Sequence, residues 1–192
     1  MKKENIKKHL APYSIYQKRK TTIHHAFASA IAPFVEYDPA MLDAAIRSLG
    51  QDPDGALQCV YCDGEATTWD HLVGLVAKGE FRGNGHQIGN LVPCCGACNS
   101  AKGSKDWVTY LDNAKRPGLE ARRKVIADYA GKYAVAVDPK AIANLCPVEW
   151  ESYGKIKKQI LSLMQDADKI AAVLQAAVLA HAEQSHNTAI QV

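Results

Sequence analysis

Apolar positions near both ends of the chain recur at helical spacing and predict helices there. Between residues 21 and 31 they fall at intervals of three and four, and the pattern breaks at Pro33. A second helix is predicted for residues 39–49, and a basic helix for residues 119–134, with another short element starting at Asp138 or Pro139. The flanks of the chain are therefore expected to be α-helical.

The longest predicted helix starts near Glu149 and carries a heptad seam of apolar residues. Such a seam either packs on the N-terminal helices of the same chain or pairs two protomers, and both interpretations stay open at this point. The residues of the seam are Ile156, Ile160, Leu163, Ala167, Ile170, Leu174 and Ala177.

The middle of the chain has a different character, because cysteine, glycine, histidine and asparagine concentrate there and helical periodicity is lost. The pattern predicts a strand, a loop, a second strand and a helix. These elements are expected at residues 67–73, 79–87, 88–93 and 99–111.

The fold class expected from this order is α+β, with a small core flanked by helices. We expect an N-terminal helical extension (residues 1–54), a core that holds the chemistry (55–112) and a C-terminal helical region (113–192). A turn-forming cluster at residues 50–55 separates the first two segments.

Composition is that of an ordinary globular protein, with 47% hydrophobic and 22% charged residues among 192. No stretch approaches the roughly 20 apolar residues of a membrane span, and no apolar signal-peptide core follows the basic N-terminus. We therefore expect no membrane segment and a cytoplasmic protein.

The net charge of +3 indicates no partner by itself, but basic residues form two blocks that either face phosphates or are solvated helix surface. The first consists of Lys2, Lys3, Lys7, Lys8, Lys18, Arg19 and Lys20, and the second of Lys115, Arg116, Arg122, Arg123 and Lys124.

Six cysteines in a chain expected to be cytoplasmic indicate metal ligation or buried thiols more than disulfides. Two CxxC pairs are present, and four thiolates from two tight turns make a closed tetrahedral zinc site of structural type. The ligands predicted are Cys59, Cys62, Cys95 and Cys98. The CxxC register selects Cys95 over its neighbour Cys94, and Cys94 and Cys146 are predicted to be buried thiols.

Three further motifs accompany the CxxC pairs: an Asp-His pair at residues 70–71, Asn-Leu-Val-Pro at 90–93, and an asparagine at 99 followed by Lys-Gly at 102–103. With these spaced motifs, about residues 57–111 resemble the HNH endonucleases. The resemblance implies a ββα-metal fold that holds one divalent ion against the scissile phosphate. Gly74 stands where a proline often follows the Asp-His pair in that family.

Site roles follow from the resemblance by position. His71 matches the general base, Asn90 the asparagine that orients the base and its loop, and Asp70 and Asn99 the ligands of the catalytic ion. Asn99 stands where the family name has a second histidine. One carboxylate and one amide oxygen suit Mg²⁺ or Mn²⁺ completed by the substrate phosphate.

Elementary chemistry agrees with a base at His71, because an imidazole with a pKa near 6.5 accepts a proton from water at neutral pH. A regular strand, however, points Asp70 and His71 to opposite faces, so both reach one phosphate only at a strand edge or a bend.

The predicted function is a DNA endonuclease of restriction or other defence type, and a homodimer through the C-terminal helix would let two sites cut two strands. Lys102, Arg82 and Lys78 are candidate contacts to nucleic acid, while His86 is expected in a mobile, solvated loop. Two other classes are weighed: a zinc-stabilised DNA- or RNA-binding module without catalysis, and a redox protein built on the CxxC pairs.

Overall fold

The computed structural model describes residues 3–114 and 118–190 and divides into two compact units. One unit comprises residues 25–147 and holds all the candidate site residues; the other comprises residues 1–24 and 148–192. This grouping by contacts differs from the three segments expected from the sequence, because the first and last segments each contribute to both units.

The elements follow one another in mixed order. After a 3-10 helix (Lys3–His9) come α1 (Ile15–Ile31), α2 (Pro39–Ser48), β1 (Thr68–His71), β2 (Val76–Ala77), β3 (Glu80–Phe81), β4 (Leu91–Cys94), α3 (Gly96–Lys102), α4 (Trp107–Ala114), α5 (Leu119–Tyr133), α6 (Pro139–Leu145) and α7 (Pro147–Ile190). The expected mixed α+β class is confirmed. Among the described residues, no helix combines the length and apolarity needed to cross a membrane.

Strands β1 and β4 pair antiparallel, with His71 opposite Leu91 and Trp69 opposite Pro93. The chain between them forms the small hairpin β2–β3. Its two turn residues, Lys78 and Gly79, both have positive φ, as a two-residue hairpin turn of type I′ requires. Helix α3 follows β4 directly, so the predicted order of strand, strand and helix is present, with the hairpin inserted in what was expected to be a loop.

The single helix predicted for residues 99–111 is wrong, since α3 and α4 replace it. Gly103 ends α3 with a positive φ of 52°. Asp106 then begins α4, because its carboxylate accepts the backbone N–H groups of Val108 and Thr109. Helical periodicity alone does not reveal such a stop and restart.

The core of the 25–147 unit lies between β1, β4 and the helices α2, α4 and α5. It is formed by aliphatic and aromatic residues together with three cysteines. The largest buried members are Tyr61, Leu72, Leu111, Ile126 and Tyr129. The Tyr129 hydroxyl donates to the Leu91 carbonyl at 2.6 Å, which ties α5 to β4.

Helix α7 is partly covered on only one side of the predicted seam. Ile160 and Ala167 are partly buried, whereas Ile156, Leu163 and Ile170 are exposed by 50%, 67% and 63%. Within the same unit, Asp168 of α7 accepts hydrogen bonds from the Ser14 hydroxyl and the Ile15 N–H, both at 2.7 Å. Ile160 and Ala167 are therefore partly covered, while Ile156, Leu163, Ile170 and Leu174 face solvent.

Candidate functional site

The four cysteines of the two CxxC pairs converge on one point. Their sulfur atoms all lie within 4.8 Å of one another, and the sulfurs of Cys62 and Cys95 are 3.7 Å apart. A tetrahedral zinc ion with bonds of about 2.3 Å places its thiolates about 3.8 Å apart. The four side chains therefore fit a metal such as zinc.

Local backbone geometry prepares both pairs of cysteines. At the first pair, the N–H groups of Cys62 and Asp63 donate to the Cys59 carbonyl, closing a tight turn. At the second pair, Cys95 is the N-cap of α3, and its sulfur accepts the N–H of Cys98. That hydrogen bond lowers the pKa of Cys95 to about 7, which favours the thiolate that binds a metal.

The remaining two cysteines are outside this cluster. Cys94 is buried as predicted, with its sulfur 3.9 Å from that of Cys59, and burial raises its pKa well above the ordinary thiol value. Cys146 is exposed at the end of α6, so the prediction that it is buried is wrong.

Asp70 is buried on the face of β1 that meets the core, and only 5% of its surface is exposed. Its carboxylate accepts the Tyr61 hydroxyl at 2.8 Å and lies 3.1 Å from the ammonium of Lys102. Burial, with the Asp70 charge beside it, raises the pKa of Tyr61 far above the ordinary value, so the phenol stays a donor.

Lys102 is also buried, with 2% exposure, and its ammonium donates to the His71 carbonyl at 2.7 Å as well as to Asp70. The expectation that Lys102 contacts a phosphate is therefore corrected: its charge is used inside the protein. It ties α3 to β1.

The catalytic ion implied by the resemblance does not fit the arrangement at Asp70. Asn99 lies in α3 and is partly buried. A dication would have to bind a carboxylate that already has a buried ammonium beside it, and like charges in a dry interior repel strongly. Apart from the four cysteines, no group of three or more His, Cys, Asp or Glu side chains that could hold an ion is found in the part of the chain described.

His71 lies on the opposite face of β1, where it contacts a second histidine. Its Nε2 is 3.1 Å from Nδ1 of His86, and Nε2 of His86 is 3.3 Å from the Ser29 hydroxyl. Burial, reinforced by the neighbouring imidazole, lowers the pKa of His71 to about 4. The imidazole of His71 is therefore neutral at physiological pH and able to accept a proton.

The side chain of Asn90 bonds to the backbone near both residues of the histidine pair. The side chain is 1% exposed; its oxygen accepts the Val73 N–H at 2.9 Å, and its amide donates to the carbonyls of Val73 and Gly85. It thus joins the segment after His71 to the segment before His86. These bonds fix the two segments relative to each other, and the positioning role of Asn90 stays a prediction.

The segment around His86 is held on both sides by tertiary contacts, while His86 itself is exposed as expected. A Cβ on Gly85 would lie 1.7 Å from the Pro33 carbonyl oxygen, so only glycine allows this approach. On the other side, the Gln87 amide bonds to the backbone N–H and carbonyl of Val135. The sequence offered His86 only as a possible contact to the DNA backbone, and its pairing with His71 was not predicted.

Some of the candidate cations for nucleic-acid contact are exposed, whereas others are paired with carboxylates of the protein. Arg82 and Lys78 are exposed on and after the β2–β3 hairpin. In the second basic block, Arg122 forms a two-pronged ion pair with Asp63, while Arg123 pairs with Asp112. These arginines are engaged within the protein. Lys2, Lys115, Arg116 and the side chain of Lys8 lie outside the described residues.

Comparison of the chain with protein-family models, with curated proteins and with solved structures gave no match.

Proposed function

We propose that this protein is an endonuclease that hydrolyses phosphodiester bonds of DNA, with His71 as the general base. The observation that carries the proposal is the paired His71 and His86 at the end of β1, with the surrounding segments fixed by Asn90. The activity is the one implied by the resemblance to HNH endonucleases. Exposed Arg82 and Lys78 support it as contacts to the DNA backbone.

The histidine pair indicates how the proton would move. If Nε2–H of His86 donates to Ser29, its Nδ1 is the acceptor for Nε2–H of His71, and Nδ1 of His71 is left as the basic atom. The base takes a proton from water as the water oxygen bonds to phosphorus, and the P–O bond to the leaving alkoxide breaks. Because Asp70 does not fit a dication, no step is assigned to one.

The cysteine cluster is proposed to hold a structural zinc ion. Four thiolates leave no open coordination position, so the ion has no place for water or substrate. Its role would be to join the turn at residues 59–62 to the start of α3, which sets α3 against β1.

A zinc-stabilised nucleic-acid-binding module without catalysis is the second candidate. The buried ion pair between Lys102 and Asp70 favours it, because a nuclease of the HNH type uses that carboxylate for its metal. The first candidate is preferred because binding alone has no need of a histidine pair with an organised loop.

Plasmid cleavage separates the two candidates. We expect purified wild-type protein to nick or cut plasmid DNA in buffer with Mg²⁺ or Mn²⁺, and His71→Ala to reduce the rate at least about a hundredfold through loss of the base. Gel analysis of supercoiled, nicked and linear forms gives the rate, and parallel reactions without added Mg²⁺ or Mn²⁺ show whether cutting requires these ions.

The matched control is His181→Ala, since His181 is an exposed histidine of α7 in the other unit. It should cut at the wild-type rate. Equal cutting by His71→Ala and wild type would contradict the mechanism. Binding of plasmid by a folded wild-type protein that does not cut it would favour the binding module.

We also propose that the exposed half of the α7 seam pairs two copies of the chain. Ile156, Leu163 and Ile170 are spaced seven residues apart, and the apolar surface continues through Leu174. A pair of subunits would supply one site for each DNA strand.

The oligomeric state tests this pairing. Wild-type protein is expected to have the mass of a dimer by light scattering after size exclusion, whereas Leu163→Glu with Ile170→Glu should yield monomer, because charges in a coiled-coil seam oppose pairing. Substitution of the exposed Lys158 by Glu changes charge on the same helix and serves as control. A monomeric wild-type protein at micromolar concentration would refute the pairing.

A further inference from the structure

A groove of about 310 Å³ lies beside the histidine pair. It is formed within the 25–147 unit by the segment before α2, by β1 and by the segment before β4. Its lining includes Val35, Tyr37, Trp69, His86, Ile88 and Leu91. The volume is within the range of small-molecule sites in proteins.

The groove and His71 belong to one surface. Side chains alternate along β1, so Trp69 and His71 share the face opposite to buried Asp70. On the paired strand, Leu91 lies directly opposite His71 and also lines the groove. His86 completes the connection, because it lines the groove and contacts His71. A molecule in the groove would therefore lie next to the proposed base.

Two aromatic rings of this groove are open to solvent. Trp69 is 43% exposed and Tyr37 is 79% exposed, although both adjoin apolar side chains against which they could have been buried. Exposed aromatic rings of this kind are the platforms on which proteins stack unpaired bases. Bases within a duplex offer no free ring face, so a stacking platform selects single-stranded or unpaired nucleotides.

The charged side chains of this unit and the fixed backbone on one side of the groove suit an unpaired nucleotide. The exposed cations Arg82 and Lys78 suit a phosphate backbone, while Glu36 in the groove supplies an acceptor for the amino group of a base. The segment that carries His86 is held by Gly85 against Pro33, so this side of the groove is formed before anything binds.

We propose that the groove binds an unpaired base of a DNA single strand, stacked on Trp69, next to the phosphodiester bond that is hydrolysed by the water His71 activates. The inference rests on the proposed function and narrows its substrate to DNA with single-stranded character at the cut.

Binding is measured with the His71→Ala protein, which is expected to hold DNA without cutting it. A fluorescein-labelled single-stranded oligodeoxynucleotide should bind about tenfold more tightly than the duplex of the same sequence, by fluorescence anisotropy. Adding Trp69→Ala should weaken single-strand binding about tenfold, within the range for one lost base stack, and leave duplex binding unchanged. Trp69→Phe should retain most of the affinity because it keeps a ring.

A direct readout comes from tryptophan fluorescence. Unlabelled single strand should quench the emission of the protein, which has three tryptophans, and Trp69→Phe should remove most of that quenching while DNA still binds. The control is Tyr13→Ala, an exposed aromatic residue of the other unit, which should change neither measurement.

Failure of this inference is distinguishable from failure of the proposed function. If wild type cleaves plasmid but Trp69→Ala does not affect single-strand binding, the proposed site for an unpaired nucleobase is overturned. The proposed nuclease activity then stands. If the protein cuts no DNA but binds single strands in a way that depends on Trp69, the nucleobase site is supported and the proposed nuclease activity is refuted. Equal loss of single-strand and duplex binding in Trp69→Ala would mean that the groove contacts the DNA backbone rather than an unpaired base. That result would overturn the inference.

Discussion

Cys98→Ser is expected to unfold the 25–147 unit, as is removal of the metal from wild-type protein by a strong chelator. Structural zinc contributes roughly 10–16 kcal/mol in small modules, whereas whole domains are stable by only about 5–15 kcal/mol. Strands of two to four residues cannot hold this core alone. Zinc content by mass spectrometry and thermal unfolding by circular dichroism are the measurements, and we expect one ion per chain and loss of the cooperative transition in the variant.

The chain supplies its own control for that experiment. Cys146→Ser changes an exposed cysteine away from the cluster and should keep both the zinc and the wild-type melting temperature. Cys94→Ser addresses the neighbouring buried thiol, and retention of zinc by this variant would show that Cys94 is not a ligand. A metal-free Cys98→Ser protein that melts like wild type would contradict a structural role for the ion.

Local signals in the sequence predicted much of the fold. Asp38 and Asp138 each precede a proline and cap α2 and α6 through hydrogen bonds to backbone N–H groups, so the starts of these helices are local properties. The clustering of the four cysteines, which could hold a metal, was likewise predictable, because the CxxC spacing itself forms the tight turn.

Features that depend on distant parts of the chain were not predictable in the same way. Lys102 and Asp70 are 32 residues apart, and nothing near either residue indicates that the lysine is buried. The role of His86 depends on Gly85 meeting Pro33 and on the pairing of Gln87 with Val135, which are tertiary contacts. For α7, the heptad pattern identified a seam but not which half of it the fold covers.

The alternation of side chains along β1 limits what the resemblance can imply. The predicted strand indicates that adjacent Asp70 and His71 reach one phosphate only if the strand bends or ends there. In the structure Asp70 faces Lys102 and the core, while His71 faces His86. The motif therefore identified the residue types, but Asp70 and His71 do not face one common site.

Lys102→Met should destabilise the zinc-loaded protein by about 3–5 kcal/mol, because it leaves the buried Asp70 carboxylate without its counterion. It also removes the donor to the His71 carbonyl. Asp70→Asn alone should cost a similar amount by isolating the ammonium, whereas the double variant should recover much of the loss, since neither buried charge remains. Urea unfolding gives the three free energies of unfolding.

Lys105→Met is the matched control: Lys105 is exposed three residues further along, and its loss should change stability by less than about 0.5 kcal/mol. The same double-mutant cycle tests the assignment of Asp70. If Asp70 is a partner of Lys102, the two losses will be strongly non-additive, and Mg²⁺ will not raise the wild-type melting temperature. Additive losses, with stabilisation by Mg²⁺ that Asp70→Asn abolishes, would instead make Asp70 a metal ligand and return the site to the arrangement that the HNH resemblance implies.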